Sequence, residues 1–228
     1  ARIEGRPDPV SGYICNISQL DRVLRERAIP LCSAFWSAPA SGDMRPQHAC
    51  SIERLLQSIG AALAAHAPPG ARWAGWELRL TPYLSYTLIP GESPMVLMTE
   101  AFEFSAAHRL HCPSMSDEEN RRTFGKCNHP SGHGHNYQVE VTIAGEPDPA
   151  TGLLLPIGAF ETTVRQRVID RFDHKHLNLD CEEFQEPNPS GECISTVIWN
   201  NLEGQFPPAR LDRVRVWETP KTWAECDG

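Results

Sequence analysis

Apolar residues recur along this chain with two different periods. After the turn-forming run Pro147-Asp148-Pro149-Ala150-Thr151-Gly152, the residues Ile157, Phe160, Val164 and Val168 follow at helical spacing and predict a helix with one apolar face. Ser190 is a predicted N-cap, and Ile194, Val197, Ile198 and Leu202 form the inner face of the helix it starts. Alternating or β-branched stretches predict strands at Phe102 to His108, Tyr137 to Ile143 and Val214 to Thr219. The order is strand, strand, helix, helix, strand, strand. It defines an α+β unit in which a four-stranded antiparallel sheet carries two helices between its second and third strands.

The pattern occurs twice. Ile3 to Gly12 aligns with Ile143 to Gly152, Ile59 to Pro69 with Ile198 to Pro208, and Thr81-Pro82 with Thr219-Pro220. In the first copy the helical faces run through Ile17, Leu20 and Leu24, and then through Leu55, Leu56, Ile59 and Leu63. Residues 94–140 have no counterpart there. The expected organisation is a tandem, with a partial, degenerate copy over 1–91 and a complete one over 92–228.

Composition narrows the partners. No stretch approaches the roughly 18 to 20 apolar residues that span a bilayer, and no basic-then-apolar leader opens the chain, so a cytoplasmic protein is expected. The eight cysteines are scattered without CxxC pairs, which predicts reduced thiols rather than a disulfide framework. A net charge of -8 argues against nucleic-acid binding, and an anionic substrate must be held by local groups.

The strongest chemical signal is a set of three histidines in the two strands that open the second copy. His133 and His135 stand two residues apart, so on a strand they share a face about 6.6 Å apart along it. Pairing of the preceding strand brings His108 opposite them. Three imidazoles with a free fourth position suit a catalytic zinc ion, whereas a structural zinc takes four protein ligands. A His-Gly-His triplet alone is more often a turn with two solvated rings; its surroundings decide otherwise. His111 and His129 are read as nonligands. Among the thiols, Cys112, Cys181 and Cys193 fit a buried core role.

Those surroundings are Phe104-Ser105-Ala106-Ala107-His108-Arg109-Leu110, Ser116-Asp117-Glu118-Glu119-Asn120, Phe124-Gly125-Lys126-Cys127-Asn128 and Gly132-His133-Gly134-His135-Asn136-Tyr137. Further on come Asp148 to Gly152, Asp173-His174-Lys175, Val197 to Leu202 and Glu218-Thr219. Together they resemble the 6-pyruvoyl-tetrahydropterin synthase family over essentially all of residues 100–222. The resemblance implies the tunnelling fold and His108, His133 and His135 as zinc ligands. It implies Cys127 as the general base, Asp173 and His174 as a relay, and Glu218 as the carboxylate that anchors the pterin ring. Glu192 matches a second position of the pterin pocket, although Ser190 and Gly191 replace the threonines usual before it. Chemistry agrees: a neighbouring cation stabilises a thiolate, and one carboxylate can accept the paired donors of a pterin edge.

The implied substrate is 7,8-dihydroneopterin triphosphate, with no redox cofactor. Lys126, Lys175, Arg109 and Arg121 are open candidates for its triphosphate. In the first copy Asp173 and His174 correspond to Ser33 and Ala34, and Glu218 to Leu80; only Glu192 has a match, in Glu53. That copy is expected to be noncatalytic. In the resembled family the cysteine side and the Asp-His side of a site come from neighbouring subunits, which implies a homo-oligomer such as a trimer of two-domain chains. Two alternatives stay open: 6-carboxytetrahydropterin synthase, whose cysteine sits closer to the His-Gly-His, and a noncatalytic pterin-binding or scaffold protein.

Overall fold

The computed structural model describes residues 1–37, 51–91 and 93–228, and the chain divides into two compact units. One comprises Ala1–Met98 with Ala144–Leu155, the other Thr99–Ile143 with Pro156–Gly228. No helix among the described residues is long and apolar enough to cross a membrane.

In the first unit β1 (Arg2–Gly5) pairs antiparallel with β2 (Ala71–Arg79), setting Ile3 opposite Trp73, and β2 pairs antiparallel with β3 (Leu84–Ile89), setting Trp76 opposite Leu88. Helices α1 (Ile17–Arg27) and α2 (Ile29–Ser37) precede α3 (Ile52–Leu63). The predicted apolar face of α3 is realised: Leu55, Leu56, Ile59 and Leu63 are all buried. Gly60 lets this helix approach the sheet, because a Cβ there would stand 2.6 Å from Leu88 Cδ2. The start of α3 also holds the turn at residues 148–154. Ser51 Oγ donates to the Gly152 carbonyl at 2.6 Å, and the buried Glu53 carboxylate accepts from the Leu154 amide at 3.0 Å.

Helix α1 forms where its spacing predicts, with Asn16 as N-cap, yet none of its residues is buried. The face through Ile17, Leu20 and Leu24 thus lacks the cover expected of it. In the second unit the corresponding residues, Phe160 and Val164, are fully buried, with the Phe160 ring 5.9 Å from Phe102 and 5.4 Å from Phe206.

The second unit is built on β4 (Met95–His108, from Thr99 onward), β5 (His133–Gly145, to Ile143), β7 (Arg210–Thr219) and β8 (Thr222–Cys226), neighbours in that order. The two-residue β6 (Lys175–His176) adds to β4 in parallel. Between β4 and β5 lies α4 (Asp117–Phe124), which starts in a capping box of Ser116 and Glu119. Helix α5 (Ile157–Val164) continues through a π turn into α6 (Asp170–Phe172); α7 (Leu177–Asp180) and α8 (Gly191–Leu202) follow. Ser190 caps α8 as predicted, its side chain accepting from the Cys193 amide. The α+β class and the order of the four main strands match the expectation; α4 between β4 and β5, the parallel β6 and the short α7 are additions to it. The core centres on Phe104, stacked 4.9 Å from Tyr137 and 6.0 Å from Phe172, with Ile194, Ile198, Leu202, Val214 and Val216 around it.

One strand residue does not fit this apolar setting. Glu100 Oε2 is buried without a hydrogen-bond partner, and burial followed by the charge of Glu161 pushes its carboxyl up from 4.5 to about 7. A raised acid favours the folded state below its unfolded pKa, and that contribution is lost as pH rises through about 7. Glu100→Gln is therefore expected to raise the melting temperature at pH 8 by roughly 2 °C and to change it little at pH 4.5. Calorimetry at the two pH values checks this, and an equal shift at both would contradict it.

Candidate metal centre

The end of β4 and the start of β5 bring three imidazoles together. His133 Nε2 lies 3.1 Å from His108 Nε2 and 2.8 Å from His135 Nε2, and the three side chains offer ligand atoms all within 4.8 Å of one another. His108 is fully buried. Its Nδ1 lies 2.7 Å from the carbonyl of Pro189, which accepts the ring proton and so leaves an Nε2 lone pair facing the other two rings. Burial first, then the charges of His133, His135 and His176, outweigh that bond and hold His108 at about 4; burial and His135 likewise lower His133. Both rings are neutral at pH 7, the form that binds a metal. With the His108 tautomer set, His133 Nε2 can share a proton with only one of its two neighbours at a time, so one of the two close contacts is always left without a hydrogen bond. A cation resolves this, and the three residues fit one.

Gly132 sets the entry into β5. Its φ is +69°, and a Cβ would stand 2.7 Å from His176 Nε2 and 3.0 Å from the His108 carbonyl oxygen. His111 and His129 lie outside the cluster: His111 Nδ1 meets the Asn128 amide at 3.1 Å, and His129 Nδ1 accepts from the Ser131 amide at 3.2 Å.

Cys127 sits in the helical turn Gly125–Asn128. Burial, then the charge of Glu218, raise its thiol above the usual value. Glu218, near the end of β7, is itself raised by burial, with His135 acting against this and Glu192 adding to it. The buried Tyr137 phenol is raised by burial and then by Glu218 and Cys127. Cys127, Glu218, His135 and Tyr137 thus form one electrostatic neighbourhood. Glu192 is exposed on the first turn of α8. Glu218 lines a 310 Å³ cavity with Glu103, Asn136, Gln138 and Trp217 among others.

Asp173 and His174 open on a different space. Asp173 Oδ1 accepts from the Ser105 amide at 2.8 Å and its Oδ2 lies 2.8 Å from His174 Nδ1, while the His174 amide donates to the Ser105 carbonyl at 2.6 Å. These bonds hold His174 at φ 58, a left-handed conformation that costs a non-glycine residue roughly 1–2 kcal/mol. The bond from the Ser105 amide, then His174, hold Asp173 below its ordinary value against the opposing effect of burial. His174 lines a 550 Å³ groove with Ser105, Ala107, His135, Asn136 and Lys175; Asn136 borders both spaces.

The three thiol expectations divide, and Cys193 is only half-buried. Cys181 is buried, but Cys112 lies in the connection after β4 with its Sγ 3.1 Å from Ser114 Oγ, because the chain has left the sheet there. The seven described cysteines are all free. The Pro189 carbonyl was not foreseen, since a main-chain acceptor carries no side-chain signature. Tyr137, beneath the site, reads in sequence as an ordinary strand aromatic.

A sheet overlaid by helices, with three imidazoles converging at the end of β4 and the start of β5, defines an α+β protein with a histidine cluster that could hold a metal ion. The family model for 6-pyruvoyl tetrahydropterin synthase matches residues 97–228, and the chain belongs to that family. The 6-pyruvoyl tetrahydrobiopterin synthase of Homo sapiens is 41% identical over 122 residues, covering 54% of this chain and 84% of that protein. The Drosophila melanogaster protein of the same name is 41% identical over 131 residues, covering 57% and 78%. The structure of Caenorhabditis elegans 6-pyruvoyl tetrahydropterin synthase superposes with a TM-score of 0.57 at 36% identity, over 61% of this chain and 99% of that one.

Removing one imidazole tests the centre. His133→Ala is expected to weaken divalent-metal binding by more than about 100-fold, beyond what loss of an outer-shell partner costs. Metal content per chain after dialysis reads this directly, and full retention would show that the cluster is not the site.

Proposed function

We propose that the chain is a zinc-dependent lyase that converts 7,8-dihydroneopterin triphosphate into 6-pyruvoyl-tetrahydropterin and triphosphate. The support is one arrangement: three converging imidazoles beside a half-buried thiol and a half-buried carboxylate, in a chain of this family. His108, His133 and His135 would hold zinc, which supplies Lewis acidity toward side-chain oxygens of the substrate and favours the ionised form of a nearby thiol.

The residues divide the remaining work. Glu218 accepts the paired N–H donors of the pterin edge, with Glu192 beside it; burial makes its carboxyl a weaker acid than usual, and such donors favour its ionised form. Cys127 takes the proton from the substrate side-chain carbon. The C–H bonding pair becomes a new double bond as the C–O bond to triphosphate breaks, triphosphate leaves with the C–O pair, and proton shifts within the product follow, so no outside oxidant or reductant is required. Asp173 orients the His174 ring, which carries protons. The groove that His174 lines meets the Cys127 neighbourhood at His135 but takes in neither Cys127 nor Glu218, so we assign His174 to the site of an adjoining chain in a homo-oligomer, a trimer of tandem chains with residues 1–91 noncatalytic.

Turnover with and without a chelator, followed by product identification, tests the assignment; a 6-carboxy product would reassign the chain. Cys127→Ala is expected to slow triphosphate release by about 10³-fold, within the range for loss of a general base, while zinc stays bound. Unchanged release with zinc retained would refute the role of Cys127.

A further inference from the structure

Directly after the ligand His108, four consecutive residues leave the sheet and lose their ladder partners. Each is tied instead to an asparagine side chain. The Arg109 amide donates to Asn178 Oδ1 at 2.8 Å and its carbonyl accepts from Asn178 Nδ2 at 3.0 Å. The Leu110 carbonyl accepts from Asn128 Nδ2 at 2.7 Å. The His111 amide donates to Asn188 Oδ1 at 2.9 Å. The Cys112 amide donates to Asn120 Oδ1 at 2.7 Å, and its carbonyl accepts from Asn120 Nδ2 at 2.9 Å. A carboxamide has the donor and acceptor of a peptide group, so these side chains stand in for a missing strand.

Asn128 differs from the other three because it adjoins Cys127. It is buried, and its Nδ2 has two protons and two partners, Leu110 O and His111 Nδ1 at 3.1 Å. The Leu110 amide in turn donates to the Cys127 carbonyl at 2.8 Å. A closed loop of bonds therefore joins residue 110, two positions after a metal ligand, to residues 127 and 128. We infer that Asn128 is a positioning residue, fixing the Cys127 thiol relative to the three-histidine cluster through the main chain of Leu110. This rests on Cys127 being the base. The remaining asparagines hold the connection in shape, and Asn128 alone among them sets where the sulfur stands.

The test is Asn128→Leu, near in size and uncharged, in the full zinc-loaded chain. Two readouts are independent: alkylation of Cys127 by iodoacetamide, with the buried Cys181 as internal reference, and kcat against KM for triphosphate release. Cys127 alkylation is expected to rise about tenfold relative to Cys181, with kcat falling about 10²-fold and KM and zinc content held within about twofold, the scale of a misplacement near 1 Å. Parallel rises in alkylation at both cysteines, or an unchanged kcat, would overturn the inference. If the wild-type chain releases no triphosphate, the role of Cys127 fails, and the alkylation ratio still decides whether Asn128 holds the sulfur. Should Asn128→Leu not fold, Asn128→Ser, which keeps one donor, is read in the same way with smaller expected changes.

Discussion

Three converging imidazoles, with His133 Nε2 at hydrogen-bonding distance from the Nε2 of both His108 and His135, are the constraint around which the second unit is organised. Neutral rings in contact through lone pairs are unfavourable unless a proton or a cation lies between them. The chain fixes the tautomer of the most buried ring with the Pro189 carbonyl, immediately before the N-cap of α8. The end of β4, the start of β5 and the loop into α8 therefore meet at one point. Each comes from a different part of the sequence, and the hydrophobic packing of Phe104, Tyr137 and Phe172 beneath them keeps the three from drifting apart.

Around that point the charged groups are arranged by burial more than by pairing. Glu218 makes Cys127 harder to ionise, Glu192 does the same to Glu218, and His135 works in the opposite direction on Glu218. A pocket with these properties favours a ligand that brings donors to the carboxylate and a cation that draws a proton off the sulfur. The Asp173–His174 pair is built differently. Its left-handed backbone is locked by both main-chain groups of Ser105, and the imidazole itself is exposed.

Much of this was legible in the sequence where periodicity and local chemistry agree. The amphipathic spacing of Leu55, Leu56, Ile59 and Leu63, the cap at Ser190, and the two-residue interval between His133 and His135 each describe a local geometry that survives in the fold. Interactions that depend on distant backbone were not legible. The Pro189 carbonyl, the asparagine bonds to residues 109–112 and the unburied face of α1 depend on which segments lie nearby, and a linear pattern carries no record of that. Cys112 illustrates the limit: its residue type suggested the interior, and its position past the end of a strand placed it outside.

The short bonds at the start of α3 separate two glutamates that the sequence pattern sets side by side. In the repeat alignment Glu53 stands where Glu192 stands in the other half, but Glu53 is enclosed and already accepts a main-chain amide, from Leu154. Glu192 faces solvent with that capacity intact. The same acidic side chain thus serves as a rivet in one setting and as an open socket in the other. A small molecule entering the first setting would have to displace the polypeptide itself.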